Sequence, residues 1–360
     1  MAPDKIATEI RLAEPTDLDR ISAFLPELGG PSFNERHPGK TAQDFYRWKY
    51  FANPLGNAIV GIAVAGELVV SLVAAVPKRI WVSGNTVPSY ELGDFLTNGN
   101  YRGKGLFSQL IELVCGEAAA KGAPLVYVRP NDVSFPILAG RLSFYEAQRL
   151  CARRFVVPSF ALANATGIPA PLLRGTGMDW LLRVGCIPGV RTGSLTVVPI
   201  QRFGVETDRL WEKAAAGYDF ALVRDSDFLN WRFTDSPTPY KMWLALRKDQ
   251  AVGFVVASTS EAVSTAHIVD LFAESGDKET VEALLATSID SLLRRGFRTV
   301  HTWTVHGPAQ SAAQDRMQSA LPFRRKRPLH LAFRILRPQD IALPLPSQKW
   351  HFTLGDSDGA

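Results

Sequence analysis

Apolar and polar positions alternate along this chain with two periods, and the two periods follow one another in the same order twice. Ile10 to Leu12 reads as a short strand. In AEPTDLDRISAFL, Leu18, Ile21 and Leu25 recur at helical spacing. Thr16 is placed to accept a hydrogen bond from a free N–H of that helix, and Asp17 and Asp19 suit its positive end. Residues 41–50 predict a second helix, stopped at Asn53-Pro54. The period then shortens to two. Ala58 to Val64, Glu67 to Val76 and Arg79 to Val82 predict strands, with turns at Ala65-Gly66 and Ser83-Gly84, and Tyr90 to Thr97 predicts a further one. Gly103 to Lys121 is a long helix ended by Gly122. Leu125 to Val128 is a strand, Asn131 to Arg141 a helix despite Pro136, and Cys151 to Val157 a strand.

Residues 160–197 are rich in Gly and Pro (GIPAPLLRGTGMDW, GCIPGVRTG) and read as a linker whose Leu-Leu pairs at 172–173 and 181–182 can pack on either side. The order then repeats. Thr207 to Ala216 is helical, Phe220 to Val223 a strand and Asp225 to Phe233 a helix. Strands follow near 241–247, 251–259 and 264–272. Lys278 to Arg295 is a long helix ended by Gly296, then come a strand (Arg298 to Val305), a helix (Pro308 to Ala320) and a strand (Leu329 to Leu336). One segment recurs almost literally. DFYRWKYFANP begins at Asp44, and DFLNWRFTDSP begins 183 positions later at Asp227. The chain thus reads as an α/β (α+β) protein of two tandem units, 1–159 and 198–360. Each is a mixed, mostly antiparallel sheet flanked by helices.

Composition agrees with this division. A chain of 360 residues with 46% apolar and 21% charged residues holds material for two cores. No run of 18 or more apolar residues indicates a membrane span, and the N-terminus carries neither an apolar h-region nor an arginine run, so no targeting peptide is expected. Cys115, Cys151 and Cys186 sit in apolar surroundings and suit reduced, buried thiols in a cytoplasmic protein. The net charge of +5 favours anionic ligands. The dense run Arg324 to Arg327 reads first as a solvated loop or strand edge and second as an anion contact. No nucleic-acid partner is expected, and the oligomeric state is not legible.

The stretch that carries chemistry is ELGDFLTNGNYRGKGLFSQLIELV, Glu91 to Val114. A strand enters a glycine-bearing turn, and the turn opens a helix. Gly103 and Gly105 let a ligand approach the backbone, and the first amides of the helix, lacking internal partners, suit an anion. A phosphate-binding P-loop fails on two positions, since Asn98 stands at its first Gly and Gly105 at its Ser/Thr. A dinucleotide fingerprint fails on Ser108 at the third Gly, and its strand–loop–helix comes too late in the chain.

Arg102 to Leu110 resembles the acyl-CoA loop of the GNAT N-acetyltransferase superfamily, Q/R-x-x-G-x-G/A. Arg102 and Gly105 match, while Phe107 stands where Gly or Ala is usual, which suits the loop if its ring faces the sheet. Element order over roughly residues 8–158 is similar too, and the whole resembles a tandem GNAT protein. The resemblance implies an acetyl-CoA site, or one for another acyl-CoA. Leu96, Thr97 and Asn98 would lend backbone groups to the acyl carbonyl and pantetheine. Arg102, Gly103, Lys104, Gly105, Leu106, Phe107 and Ser108 would hold the pyrophosphate. Asn131 matches a cofactor-contacting Asn, or else caps a helix. The second half lacks the loop: Glu274, Asp277 and Glu279 stand where phosphates would lie. It is expected to shape the acceptor cleft or bury a shared sheet edge.

Acyl transfer to an amine needs a base. Asp94 and Glu91 lie on the strand before the loop, Asp94 being favoured as the nearer, with no catalytic role for either as the competing reading. The Tyr that protonates the leaving thiolate in many relatives is missing, Leu138 and Ala139 occupying its place. Tyr145, Ser134 or a water would then serve, or no acid. No metal spacing appears among the six His residues, with HTWTVH (301–306) read as strand packing. Trp48 and Trp231 read as core anchors. The tail KWHFTLGDSDGA reads as a frayed terminus, with Trp350, Asp356 and Asp358 as a less favoured cap for a cationic acceptor. The expected function is acetyl transfer to the primary amine of a small molecule. Two alternatives stay open: an aminoacyl or long-chain acyl transferase charged by tRNA or acyl carrier protein, and a non-catalytic acyl-CoA-binding module.

Overall fold

The computed structural model describes residues 8–25, 39–82, 84–156, 166–168, 172, 195–260, 265–304, 324–325, 329–341 and 349–357. The N-terminal half runs β1 (Thr8–Leu12), α1 (Leu18–Phe24), α2 (Ala42–Phe51), β2 (Ile59–Ala65), β3 (Leu68–Val82), β4 (Asn85–Thr97), α3 (Leu106–Ala120), β5 (Leu125–Val128), α4 (Phe135–Arg141) and β6 (Tyr145–Val156). The C-terminal half runs β7 (Leu195–Ile200), α5 (Val205–Ala215), β8 (Phe220–Leu222), α6 (Ser226–Leu229), β9 (Tyr240–Arg247), β10 (Gln250–Ser260), β11 (Thr265–Ala273), α7 (Lys278–Arg294), β12 (Thr299–Thr304), β13 (Arg324–Arg325), β14 (Leu329–Ile335) and β15 (Trp350–His351). By its contacts the chain divides into two units. The first is Met1–Arg149 with Asp235–Pro237 and His330–Pro344; the second is Leu150–Thr234, Thr238–Leu329 and Leu345–Ala360.

The two sheets share one plan. In the first unit β1, β2, β3 and β4 are antiparallel neighbours, β5 joins β4 in parallel, and β14 joins β5 antiparallel. In the second, β7, β9, β10 and β11 are antiparallel, β12 joins β11 in parallel, and β6 joins β12 antiparallel. Each parallel step needs a crossover, which α3 and α7 supply. The strand that completes each sheet comes from the opposite half of the sequence. Cys151 to Val156, read from its position as the end of the first unit, pairs with Thr299–Thr304. Leu329–Ile335, read as the end of the second, pairs through Ala332 to Ile335 with Leu125–Val128.

Alternation along β2 separates two layers in the first unit. Ile59 and Ala63 face α3 through Leu106, Leu110, Ile111 and Val114, while Val60 and Ile62 face α1 and α2 through Ile21, Tyr46 and Tyr50. A Cβ at Gly61 would lie 2.9 Å from Val114 Cγ2, so this glycine sets how closely α3 approaches the sheet. In the second unit Val281, Leu284, Leu285, Ile289 and Leu292 hold α7 in the same manner.

Several local expectations change. Thr16 is exposed and does not start the first helix. The helical run starts earlier, in a 3-10 turn over Pro15–Asp17 led by Glu14, whose amide donates to the buried Asp17 carboxylate at 2.9 Å; Asp17 also accepts from Arg11 at 2.7 and 2.8 Å. The strands read at 67–76 and 79–82 are one, β3, of 15 residues. The β2 pairing stops opposite Ala75, before Pro77. The second copy of the repeated segment is a single α turn, α6, continued as a π turn over Asn230–Thr234. β7 straddles the end of the sequence read as linker, at 197. Cys186, most of 160–194 and the helix read at 308–320 lie outside the described residues. No helix among the described residues is long and apolar enough to cross a membrane.

Candidate functional site

The site begins where two strands part. β4 and β5 pair in parallel from Ser89 and Leu125 to Leu92 and Val128, and there the pairing stops. β4 runs on to Thr97 along β3 alone. A bulge interrupts that ladder between Gly93 and Leu96, with Asp94 in the left-handed region at φ 53°. Beyond it, the Asn98 amide donates to the Val70 carbonyl at 2.9 Å, so by antiparallel alternation Leu96 and Asn98 bond to β3 and Thr97 faces away. The Thr97 carbonyl accepts Arg102 Nε at 3.3 Å, which leaves its N–H on the open edge. Ser71 Oγ secures this end, donating to the Leu96 carbonyl at 3.0 Å and lying 2.7 Å from Thr97 Oγ1.

The turn that follows delivers the chain to α3. Gly103 and Gly105 both adopt positive φ, 77° and 75°, which non-glycine residues reach only with strain. The helix has no side-chain cap, and its first internal bond is Gln109 N–H to the Gly105 carbonyl at 3.1 Å. The amides of Leu106, Phe107 and Ser108 precede that bond, and no side chain among the described residues occupies them. Phe107 turns its ring inward, edge-on to Phe95 at 5.1 Å, so a bulky residue at this position does not fill the turn. Lys104 Nζ rests 4.3 Å from the centre of the Tyr101 ring, on the same loop. The arrangement is an open strand edge leading to uncapped helix amides. It can take an extended amide-bearing chain and, at its end, a diphosphate.

Both carboxylates read from the sequence are found beside cations. Asp94 Oδ2 lies 2.6 Å from Lys49 Nζ and accepts the Tyr50 hydroxyl at 2.7 Å, while Oδ1 carries no hydrogen bond among the described residues. Glu91 is buried at 3% exposure, 3.4 Å from the equally buried Lys78. Asn131 spends its side-chain oxygen on capping the turn before α4, accepting from Val133 N at 3.0 Å and Ser134 N at 2.8 Å. Ser134 Oγ lies in the same turn, 3.0 Å from that oxygen. Tyr145 opens β6 and is 40% exposed; burial of the rest of the ring raises its phenol above the ordinary value, so it keeps its proton at neutral pH. Of these neighbours, Lys49 and Tyr50 were not anticipated. Their only sequence signal is membership of the repeated segment.

The second unit closes off the corresponding elements. Asp277 caps α7 with its own carboxylate, accepting from Thr280 N at 3.0 Å and Thr280 Oγ1 at 2.7 Å. Burial opposes its charge, but these bonds and Arg247 at 3.0 Å outweigh burial and hold it below the ordinary carboxylate range. The tail is no frayed end up to Ser357: Trp350, Phe352 and Asp356 are 1–2% exposed. β15 pairs in parallel with β8, and Gly355 passes so close to Val269 and Phe233 that a Cβ there would lie 3.1 Å from the Val269 carbonyl. Asp356 accepts Arg224 at 2.6 Å, and Arg224 also binds Asp270 at 3.1 Å. Asp356 is thus already paired inside the protein, and it corrects the cation-capping reading of that residue. Asp358 lies outside the described residues.

His351 adds a pH dependence to this unit. Burial, reinforced by Arg224, pushes its imidazole well below the ordinary value, and neither ring nitrogen makes a hydrogen bond among the described residues, Nε2 lying 4.0 Å from Asp270 Oδ1. A base whose pKa is depressed by folding contributes stability that is complete above its unfolded value and fades as pH falls beneath it. Relative to His351→Phe, the wild-type chain is expected to lose up to about 1.4 kcal/mol per pH unit below about pH 6.5. Denaturation midpoints of both proteins across pH 5–8 measure this, and parallel curves would refute it.

Comparison with known proteins agrees with this geometry. Residues 9–140 match the family model described as "Acetyltransferase (GNAT) domain". The chain is similar in structure to a probable N-acyltransferase from Enterococcus faecalis V583, with 14% identity, TM-score 0.63, and 92% of this chain and 74% of that one covered. It is similar to a GCN5-related N-acetyltransferase from Anabaena variabilis ATCC 29413, with 15% identity, TM-score 0.60, and 92% and 73% covered. It is similar also to a tandem GNAT protein from the clavulanic acid biosynthesis pathway, with 12% identity, TM-score 0.58, and 92% and 99% covered. At these identities the likeness is one of fold. The sequence matches no curated protein.

Proposed function

We propose that this chain, whose residues 9–140 match the GNAT acetyltransferase domain model and whose fold is similar to that of a tandem GNAT protein, is an acetyl-CoA-dependent N-acetyltransferase acting in the cytoplasm on the primary amine of a small molecule. The observation that carries the reading is the uncapped, glycine-led start of α3 beside the open edge of β4. The amides of Leu106, Phe107 and Ser108, with Gly103, Lys104, Gly105 and Arg102, hold the pyrophosphate. The Thr97 N–H, flanked by Leu96 and Asn98, meets the amide-bearing arm and the acyl carbonyl. Asn131 has its side-chain N–H groups left for the same ligand.

An alkyl ammonium with a pKa of about 10.4 must lose a proton before it can attack, a handicap of about 4.6 kcal/mol at pH 7. Asp94 accepts that proton at Oδ1, directly or through a water. The amine nitrogen then bonds to the thioester carbonyl carbon, and the C–S bond breaks as the tetrahedral adduct collapses. Tyr145, protonated at neutral pH, supplies the proton that the leaving thiolate takes up, and the second proton of the adduct nitrogen, lost to water as the amide forms, restores it. Glu91, committed to Lys78 and buried, stands behind Asp94 as the second choice of base.

The test is a thermal-shift series with CoA esters, followed by thiol release from acetyl-CoA across a panel of amino acids, amino sugars and polyamines. Stabilisation together with turnover is expected. Stabilisation without turnover by any amine would support a binding module, and no stabilisation by any CoA ester would support a carrier- or tRNA-charged enzyme. Asp94→Asn is expected to lower turnover about 100-fold while sparing the acetyl-CoA thermal shift. Wild-type rates in that variant would remove Asp94 from the reaction.

A further inference from the structure

The repeated segment suggests how the first unit holds its candidate base. We infer that Lys49 and Tyr50 are positioning residues. They grip one oxygen of Asp94 so that the other is presented to the acceptor amine, an inference that rests on Asp94 being the base.

Three observations carry it. The first is the geometry of the grip. Lys49 Nζ at 2.6 Å and the Tyr50 hydroxyl at 2.7 Å both converge on Oδ2, and Oδ1 is left without a partner among the described residues. Asp17, by contrast, shares Arg11 between its two oxygens, one bond to each. The second is rigidity. The Lys49 side chain is 4% exposed and that of Asp94 15%. Tyr50 is fully buried and stacks at a tilt on Tyr46, 5.5 Å away. The helix that bears them is capped reciprocally by Thr41 and Asp44. Asp94 itself sits at φ 53° in the bulge of β4, a conformation that needs support from its surroundings. Burying a lysine beside a strained carboxylate is unfavourable unless the pair is well made.

The third observation is the other copy. Arg232 stands where Lys49 does and donates to the Tyr240 hydroxyl at 2.8 Å and the Ser357 carbonyl at 3.4 Å. Phe233 replaces Tyr50 and has no hydroxyl to give. Asp270, at the bulge of the strand before α7, has both oxygens taken: Oδ1 receives Arg224 Nη2 at 3.2 Å and Thr353 Oγ1 at 3.0 Å, and Oδ2 receives Arg224 Nε at 3.1 Å. One helix sequence thus serves two ends, presenting a half-open carboxylate in the first unit and fastening the tail in the second.

Lys49→Met, Lys49→Arg and Tyr50→Phe, each alone and combined with Asp94→Asn, test this. The assay is thiol release from acetyl-CoA with whichever panel amine turns over fastest. Lys49→Met is expected to lower kcat about 30-fold and Tyr50→Phe about 5-fold, with the KM for acetyl-CoA and its thermal shift unchanged. Lys49→Arg is expected to recover part of the loss. On the Asp94→Asn background neither Lys49→Met nor Tyr50→Phe should lower kcat further, because residues that act through one another are not additive. Losses that add on that background, or a weakened acetyl-CoA shift, would assign the two side chains to folding and overturn the inference. Wild-type turnover in Asp94→Asn alone would instead overturn the base reading, and absence of turnover with every amine would remove both.

Discussion

Gly105→Glu is expected to abolish acetyl-CoA binding and leave the chain folded. The residue lies in the left-handed region at φ 75°, so any side chain there strains the backbone by about 1–2 kcal/mol. Space is not the obstacle. A Cβ at this position would meet only Gln109 Nε2, at an ordinary 3.6 Å. The larger effect is charge. A carboxylate about 4 Å from one phosphate charge is opposed by about 4 kcal/mol at an effective dielectric of 20, which alone is about a thousandfold in affinity. Isothermal titration with acetyl-CoA, beside a circular dichroism melt of the same variant, reads both halves. Unchanged affinity would count decisively against the loop as the pyrophosphate site. Gly103→Ala is a milder control, since a Cβ there meets nothing within 4 Å and strain alone is left.

Arg224→Met is expected to destabilise the second unit by about 3–5 kcal/mol, lowering its melting temperature by roughly 6–20 °C. Arg224 is completely buried and holds Asp270 and Asp356 at once. Burial pushes the Asp356 carboxyl up and Asp270 adds to this, with Arg224 pulling it back. Without the guanidinium, two carboxylates face each other away from water. The whole network weighs far less than its broken form, because an apolar replacement removes the desolvation penalty together with the pairing. Replacing Arg224, Asp270 and Asp356 together by Met, Leu and Leu should therefore recover part of the lost stability. Differential scanning calorimetry separates the two cases. A single substitution that melts like wild type would show that the tail is not held by this ion cluster.

Most of the first unit's site is written in contiguous sequence. Gly103 and Gly105 mark the turn, Leu106, Leu110 and Val114 mark the face of α3, and the strand ending at Thr97 leads into them. These are short-range signals, since turn chemistry and helical spacing act over a few residues. The grip on Asp94 is different in kind. Lys49 and Tyr50 lie more than forty positions from Asp94, and a lysine and a tyrosine near the end of an amphipathic helix look alike whether they face solvent or a carboxylate. The tail hides for a similar reason. WHFTLGDS mixes polar and apolar residues without a period, and only the buried Arg224 makes two aspartates suitable inside a core.

By itself the sequence determined the order of helices and strands, the duplication marked by the two copies of the Trp-bearing segment, and the glycine-led turn before the long helix of the first half. Each depends on residues close together in the chain. Tertiary structure alone decided which strand completes which sheet. Nothing in the local sequence of β6 or β14 names its partner strand, so the exchange of strands between the halves depends on long-range pairing energies that no local pattern carries. It likewise decided that one aspartate of the pair at the two bulges is left half open and the other sealed, because that rests on which cations the packed layers bring within about 3 Å.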